Sequence, residues 1–231
     1  MEGSPAVRQG RIFSSDLLQL TDSELLQYWE NLFQDNCMGA GYSTRGWFHD
    51  LYKPLAVLEG QWLEVGSGLG FDGVYFAEVG AQVTFADIVQ ENIMVIEKLC
   101  KLKGIKNVEF FAIESLEALN HLNQFDVIMA IGSLHHAPYD LIREERKVLA
   151  SHLISGGRWL ELGYPKERWE REGKLDFSEW GKKTDGENTP WAEWYDIQKL
   201  LESLKPHEFN VILNLNFHND DFNWFDLIKR A

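Results

Sequence analysis

Apolar and polar positions change rhythm several times along the 231-residue chain. Near the start, Leu25, Tyr28, Trp29, Leu32 and Phe33 recur with helical spacing. They follow Thr21-Asp22-Ser23-Glu24, a capping-box sequence that predicts where this helix begins. From Gln61 onward, short apolar runs alternate with longer amphipathic stretches. Residues 62–65, 82–87, 108–112, 125–131 and 158–162 read as strands. The intervening segments carry helical spacing, as in Ile93, Ile96 and Cys100 before Gly104. Such alternation predicts a parallel sheet covered by helices on both faces. Further on, Ile197, Leu200, Leu201 and Leu204 mark a helix stopped by Pro206. Two more strand-like runs, 209–217 and 222–228, are separated by only four polar residues. That connection is too short for a crossover helix, so the two should pair antiparallel. The expectation is a doubly wound α/β fold with seven strands, parallel except for a C-terminal hairpin.

Two regions stand outside this rhythm. Residues 1–54 are expected to form an N-terminal helical cap, and 55–231 the main domain. Within the latter, residues 164–195 show no clear period but contain Trp169, Trp180, Trp191 and Trp194. Both regions are candidate covers for a site carried by the sheet.

Charge narrows the partners. With 22 Lys+Arg against 36 Asp+Glu, the net charge is −14, a field that repels a phosphate backbone and argues against nucleic acid. No apolar run approaches the roughly 20 residues a membrane span needs, and the opening MEGSPAVRQG lacks the apolar core of a signal peptide. Cys37 and Cys100 make neither a disulfide framework nor a zinc site, which fits a reducing, cytoplasmic setting. No run of His, Asp and Glu has convincing metal spacing, so no metal ligand is assigned, and a divalent ion bridging a catechol-like acceptor stays open.

The densest chemistry lies at Leu63-Glu64-Val65-Gly66-Ser67-Gly68-Leu69-Gly70-Phe71-Asp72. Alternate glycines directly after a strand let the backbone turn tightly and approach a ligand closely. A dinucleotide fingerprint would need glycine where Phe71 stands, and a phosphate loop would need a Gly-Lys-Ser/Thr sequence that is absent. The loop suits a nucleoside without a pyrophosphate. Asp87, ending the second strand, can accept hydrogen bonds from both ribose hydroxyls. After the third strand, Glu114 and Ser115 can meet an adenine edge. The fourth strand leads into Ile131-Gly132-Ser133-Leu134-His135-His136-Ala137-Pro138, at the carboxyl end of a central strand, where open α/β sheets place their chemistry.

Together with Gly156-Gly157 before the fifth strand, these segments resemble the class I S-adenosylmethionine-dependent methyltransferases, most closely the small-molecule type. The likeness covers about residues 55–231, and the antiparallel terminal hairpin belongs to the same superfamily's topology. It implies a Rossmann-like methyltransferase fold with S-adenosylmethionine as cofactor. Gly66, Ser67, Gly68 and Gly70 would pass beneath its methionine part, with Glu64 near the ammonium group. Asp87 would bind the ribose, Ile88 would pack on the adenine ring, Glu114 and Ser115 would meet the adenine, and Gly132 would border the sulfonium. The Asn/Asp-Pro-Pro-Tyr/Phe sequence typical of amino-methylating nucleic-acid and protein-glutamine enzymes is absent.

On this reading the chain methylates oxygen or nitrogen of a small molecule. Transfer to a protonated acceptor needs alignment and a base. His135 is the first candidate, followed by His136, Glu161 and Glu170. Tyr42, Arg45 and Trp47 lie in a stretch rich in ligand-binding groups, and Tyr42 and Arg45 suit a carboxylate. Tyr164, Trp191, Trp194 and Tyr195, interleaved with acids, suit an amine, a sugar or an apolar ring. His218 sits at the hairpin turn. The alternatives are a protein-modifying methyltransferase, a nicotinamide-binding dehydrogenase, which Phe71 disfavours, and a silent binding scaffold. Oligomeric state is not encoded in any of these patterns.

Overall fold

The computed structural model describes residues 13–58 and 60–231; the signal-peptide reading of the first ten residues lies outside them. Seven strands run in the order β3-β2-β1-β4-β5-β7-β6, and the chain divides into two compact units, 1–114 and 115–231.

In the first unit, β1 (Gln61–Val65), β2 (Gln82–Asp87) and β3 (Val108–Ala112) pair in parallel, with Leu63 opposite Thr84 and Phe85 opposite Phe110. Trp62 to Val65 are all buried, as expected of strands covered on both faces. Before them come α1 (Ser14–Leu17), α2 (Asp22–Cys37) and α3 (Trp47–Ala56). The capping box is present: Thr21 N–H donates to Glu24 Oε2 at 2.9 Å, and Glu24 N–H donates back to Thr21 Oγ1 at 3.3 Å. Helix α2 is anchored to the glycine loop. Its Trp29 indole N–H donates to Leu69 O at 2.8 Å, and the ring lies 5.5 Å from Phe71. Helices α4 (Phe71–Glu78) and α5 (Gln90–Lys103) connect the strands.

The second unit contains β4 (Phe125–Ile131), α6 (Tyr139–Ser151), β5 (Leu153–Gly163), α7 (Lys166–Arg171), α8 (Phe177–Asp185), α9 (Ile197–Ser203), β6 (Phe209–Phe217) and β7 (Phe222–Lys229). Strand β5 runs parallel to β4 and antiparallel to β7, which pairs antiparallel with β6. The chain thus returns into the sheet, so that β7 is buried and β6 is the exposed edge.

Two expectations are corrected. Strand β5 begins at Leu153 rather than 158, so Gly156-Gly157 lie inside it, within a register shift. Gly156 has φ +80°, and a Cβ on Gly157 would meet Leu153 Cδ1 at 2.8 Å and Asp126 O at 3.0 Å. These glycines form a bulge pressed against β4. Residues 164–195, which have no readable period, contain α7 and α8. Each is too short to show a repeat, and both pack on a local aromatic core. Tyr164, Trp180 and Ala192 are buried there, with Trp169, Leu175, Phe177, Trp194 and Phe222 against them.

Candidate functional site

The first unit builds a ligand cradle from backbone. Gly66, Gly68 and Gly70 have φ of +68°, +56° and +68°, left-handed values that cost a side-chain-bearing residue about 1–2 kcal/mol. The loop is pinned to β2: Gly66 N–H donates to Ala86 O at 2.7 Å, and Gly68 N–H to Asp87 Oδ2 at 2.9 Å. Ser67 Oγ donates to Glu64 O at 3.0 Å. Gly70 is the N-cap of α4, and a Cβ there would meet Ile96 Cγ1 at 3.1 Å. A Cβ on Gly68 would meet nothing within 4 Å, so the loop has an open side.

Asp87 is buried and also accepts from Val89 N–H at 2.8 Å and Asn92 Nδ2 at 3.0 Å. Burial raises its pKa, against the lowering effect of these donors. Ile88 beside it is exposed, as is Glu114. Glu64 is buried, and its Oε2 has no hydrogen-bond partner among the described residues. Burial, followed by the charge of Asp72, pushes its carboxyl well above the usual range. A carboxyl so raised takes up a proton more readily, and in its protonated form it offers a ligand a donor as well as an acceptor.

Behind this loop stands a network the sequence did not signal. Asp72 Oδ1 lies 2.7 Å from His49 Nε2, and Asp72 Oδ2 lies 3.4 Å from Arg45 Nε. Burial pushes Asp72 upward, but the Arg45 charge and the His49 hydrogen bond outweigh it and hold the carboxyl below its usual value. Arg45 is thus engaged within the chain. Tyr42 is likewise engaged, donating to Asp50 Oδ2 at 2.8 Å. Trp47 packs edge-on to Phe48.

In the second unit Gly132, at φ +71°, ends β4 with open space at its Cβ position. Ser115 accepts from Ala118 N–H at 3.3 Å. The segment after Gly132 is held rigidly. Arg146, fully buried on α6, donates to Leu134 O at 2.9 Å and Ser203 Oγ at 3.1 Å, and it pairs with Glu161 Oε1. Its guanidinium lies over the Tyr195 ring at 4.0 Å. Glu193 N–H donates to His135 O at 2.9 Å, and Tyr139 N–H donates to Glu193 Oε2 at 3.0 Å.

His135 is 1% exposed, and neither ring nitrogen has a hydrogen-bond partner among the described residues. Burial, and then the neighbouring His136, drives its pKa well below the usual histidine value, so the ring is neutral. Around it stand the Tyr164 ring at 4.5 Å and the His136 ring at 4.1 Å. His136 Nε2 lies 3.3 Å from Asp185 Oδ2, and the Tyr164 hydroxyl donates to Asp185 Oδ1 at 2.6 Å.

Other expected site residues take structural positions. The Glu161 carboxylate is fully buried between Arg146 and the Trp159 indole N–H, which donates at 2.9 Å. That ion pair ties it to the core. Glu170 is on the outer face of α7, paired with Lys174 at 3.0 Å. The acid–aromatic run from Trp191 to Tyr195 surrounds the chain's own cation. Lys199 Nζ lies 4.2 Å from the Trp194 ring and 4.8 Å from that of Tyr195, pairs with Glu193 at 2.6 Å, and donates to Trp194 O at 3.0 Å. Trp191 donates to Glu193 Oε2 at 3.1 Å. His218 lies in the hairpin turn at φ +55°. Arg146, Asp185 and Lys199 had no sequence signal, because a lone charge within an amphipathic or aromatic stretch reads as surface until the fold buries it.

Comparison with known proteins agrees with this architecture. Residues 63–157 match the family model of a methyltransferase domain. Among solved structures, an S-adenosylmethionine-dependent methyltransferase from Clostridium acetobutylicum superposes with TM-score 0.62 at 12% identity, over 90% of this chain and 99% of that one. The magnesium protoporphyrin IX methyltransferase of Synechocystis, solved with S-adenosylhomocysteine, gives TM-score 0.60 at 15% identity, over 91% and 96%. The [4+2]-cyclase SpnF has the same fold at TM-score 0.57 and 16% identity, over 79% and 81%, so fold alone does not fix the chemistry. No curated protein sequence matches the chain. The open Gly68 position and the orphaned Glu64 oxygen fit a cofactor that lies along the loop. The matched methyltransferase domain spans β1 to the β5 bulge, and with this strand order around it the chain has the fold of the class I S-adenosylmethionine-dependent methyltransferases.

Proposed function

We propose that this enzyme methylates oxygen or nitrogen of a small-molecule acceptor, and that a centre built on His135 handles the acceptor's proton. The observation that carries this is the buried His135 ring, with both nitrogens unbonded beneath a lid of aromatic residues. A polar group so placed in the apolar wall of a lid suits a compact ligand. S-adenosylmethionine, when bound, supplies a methyl group activated on a positively charged sulfur. The glycine loop with Glu64 and Asp87 would hold that cofactor, with Ile88, Glu114, Ser115 and Gly132 as further cofactor contacts. Residues 1–54 would cap the main domain, and 164–195 would be the acceptor lid, in which Tyr164 lines the wall beside His135. The cytoplasm is the proposed location, supported by two free, buried thiols, Cys37 and Cys100; no helix among the described residues is long and apolar enough to cross a membrane.

The test supplies methyl-labelled cofactor and a cell extract split by filtration. Label is expected in the low-mass fraction; label confined to macromolecules would favour protein modification and reject the small-molecule reading. A second test addresses the cradle. Gly68→Val places a β-branched side chain at φ +56° and fills the open side of the loop. S-adenosylhomocysteine affinity is expected to fall by more than about tenfold, because the isopropyl group takes up space the ligand needs. Unchanged affinity in calorimetry would place the ligand elsewhere.

A further inference from the structure

The fold gathers His135, His136 and Asp185 so that one ligand atom from each lies within 4.8 Å of the others. The sequence gives no such spacing, since the carboxylate arrives from the end of α8. His136 Nε2 and Asp185 Oδ2 are 3.3 Å apart. Two ligands on one tetrahedral zinc, each roughly 2.0–2.1 Å from the ion, stand about 3.4 Å apart. This pair already has the separation a shared ion would impose. His135 supplies the independent sign: it is 1% exposed, yet neither nitrogen is bonded to another described residue. A buried imidazole left so is unfavourable unless something coordinates it. The second oxygen of Asp185 accepts from Tyr164, the kind of outer hydrogen bond that orients a ligating carboxylate.

A second grouping, Cys37, His49 and Asp72, is equally close but unsuited. There His49 is already bonded to Asp72 at 2.7 Å, and the Arg45 guanidinium on that carboxylate opposes a cation.

We propose that His135, His136 and Asp185 form a three-ligand site for a divalent transition-metal ion, zinc being the best match to two imidazoles and a carboxylate. Three protein ligands leave a fourth position open, the arrangement of a catalytic rather than a structural site. The inference rests on reading 164–195 as the acceptor lid and specifies what its histidine centre carries. An acceptor hydroxyl or amine at the open position loses its proton more readily beside the divalent charge, and the proton passes to water. The heteroatom's electron pair forms the new bond to the methyl carbon. The carbon–sulfur bond breaks with its pair returning to sulfur.

The test uses the full chain, stripped with a chelator and titrated with zinc chloride by calorimetry in the absence of any cofactor. Uptake of one ion per chain is expected, lost in His135→Ala and Asp185→Asn and retained in Cys37→Ser. Tyr164→Phe should weaken it by about 10–100-fold. S-adenosylhomocysteine binding, measured separately on each variant, shows that the cofactor half is folded. If the stripped wild-type chain binds S-adenosylhomocysteine but takes up no zinc, the metal site is refuted and the methyltransferase reading stands. Zinc binding that survives His135→Ala, or disappears in Cys37→Ser, also overturns the assignment. Because zinc uptake is read without cofactor, a failure of cofactor binding leaves this readout intact.

Discussion

Arg146→Met is expected to lower folding stability by about 3–5 kcal/mol, the loss typical when one partner of a buried ion pair is removed. The guanidinium is fully buried and joins Glu161, Ser203 Oγ and the Leu134 carbonyl while lying on the Tyr195 ring. Methionine fills much of the volume but supplies no donor. The Glu161 carboxylate then keeps only the Trp159 indole N–H as a partner. At about 2–4 °C per kcal/mol for a chain of this size, the melting temperature should drop by roughly 10 °C. Urea denaturation of the same variant gives the free energy. Adding Glu161→Leu should recover a large part of the loss, because it removes the stranded charge rather than restoring the bond. A single variant within 1 kcal/mol of wild type would mean that the network is not what holds the 133–136 segment.

His135→Ala should lower turnover by about 10²–10⁴-fold, the usual contribution of a group that handles a proton in the transition state. S-adenosylhomocysteine affinity should be unchanged. The backbone around His135 is fixed independently of the ring, by Glu193 N–H on its carbonyl and by Arg146 on the preceding one. Truncating the side chain therefore leaves the loop in place and separates chemistry from folding. Turnover within about threefold of wild type would show that alignment of the acceptor suffices and that the histidine centre has no part in proton removal.

These two expectations differ in how far the sequence could anticipate them. His135 stood out because a titratable pair follows a central strand, a position that topology alone makes chemical. Arg146 did not. On α6 it is one charge among Arg143, Glu144, Glu145 and Lys147, and only its contacts with Ser203 and the Tyr195 ring show that it is the fully buried one. Glu161 is the opposite case. Alternation along β5 puts a carboxylate near the catalytic end of a strand, but the partner that neutralises it comes from a helix distant in sequence. The aromatic and acidic residues at 191–195 read as a receptor for an amine. In the folded chain the amine is Lys199, which helical spacing alone could not have aimed at those rings.

What the sequence determined by itself is the order of the seven strands, the antiparallel end of the sheet and the glycine loop after the first strand. Hydrophobic period, turn length and the backbone freedom of Gly66, Gly68 and Gly70 are properties of neighbouring residues and survive without any knowledge of the fold. The tertiary structure alone decided which charges are buried together, from Arg146 with Glu161 to Asp72 with His49 and Arg45. It also decided that Asp185, some fifty residues downstream, would stand against His136. The energy of a charge depends on its dielectric surroundings and its nearest partner, and both are set by segments distant along the chain.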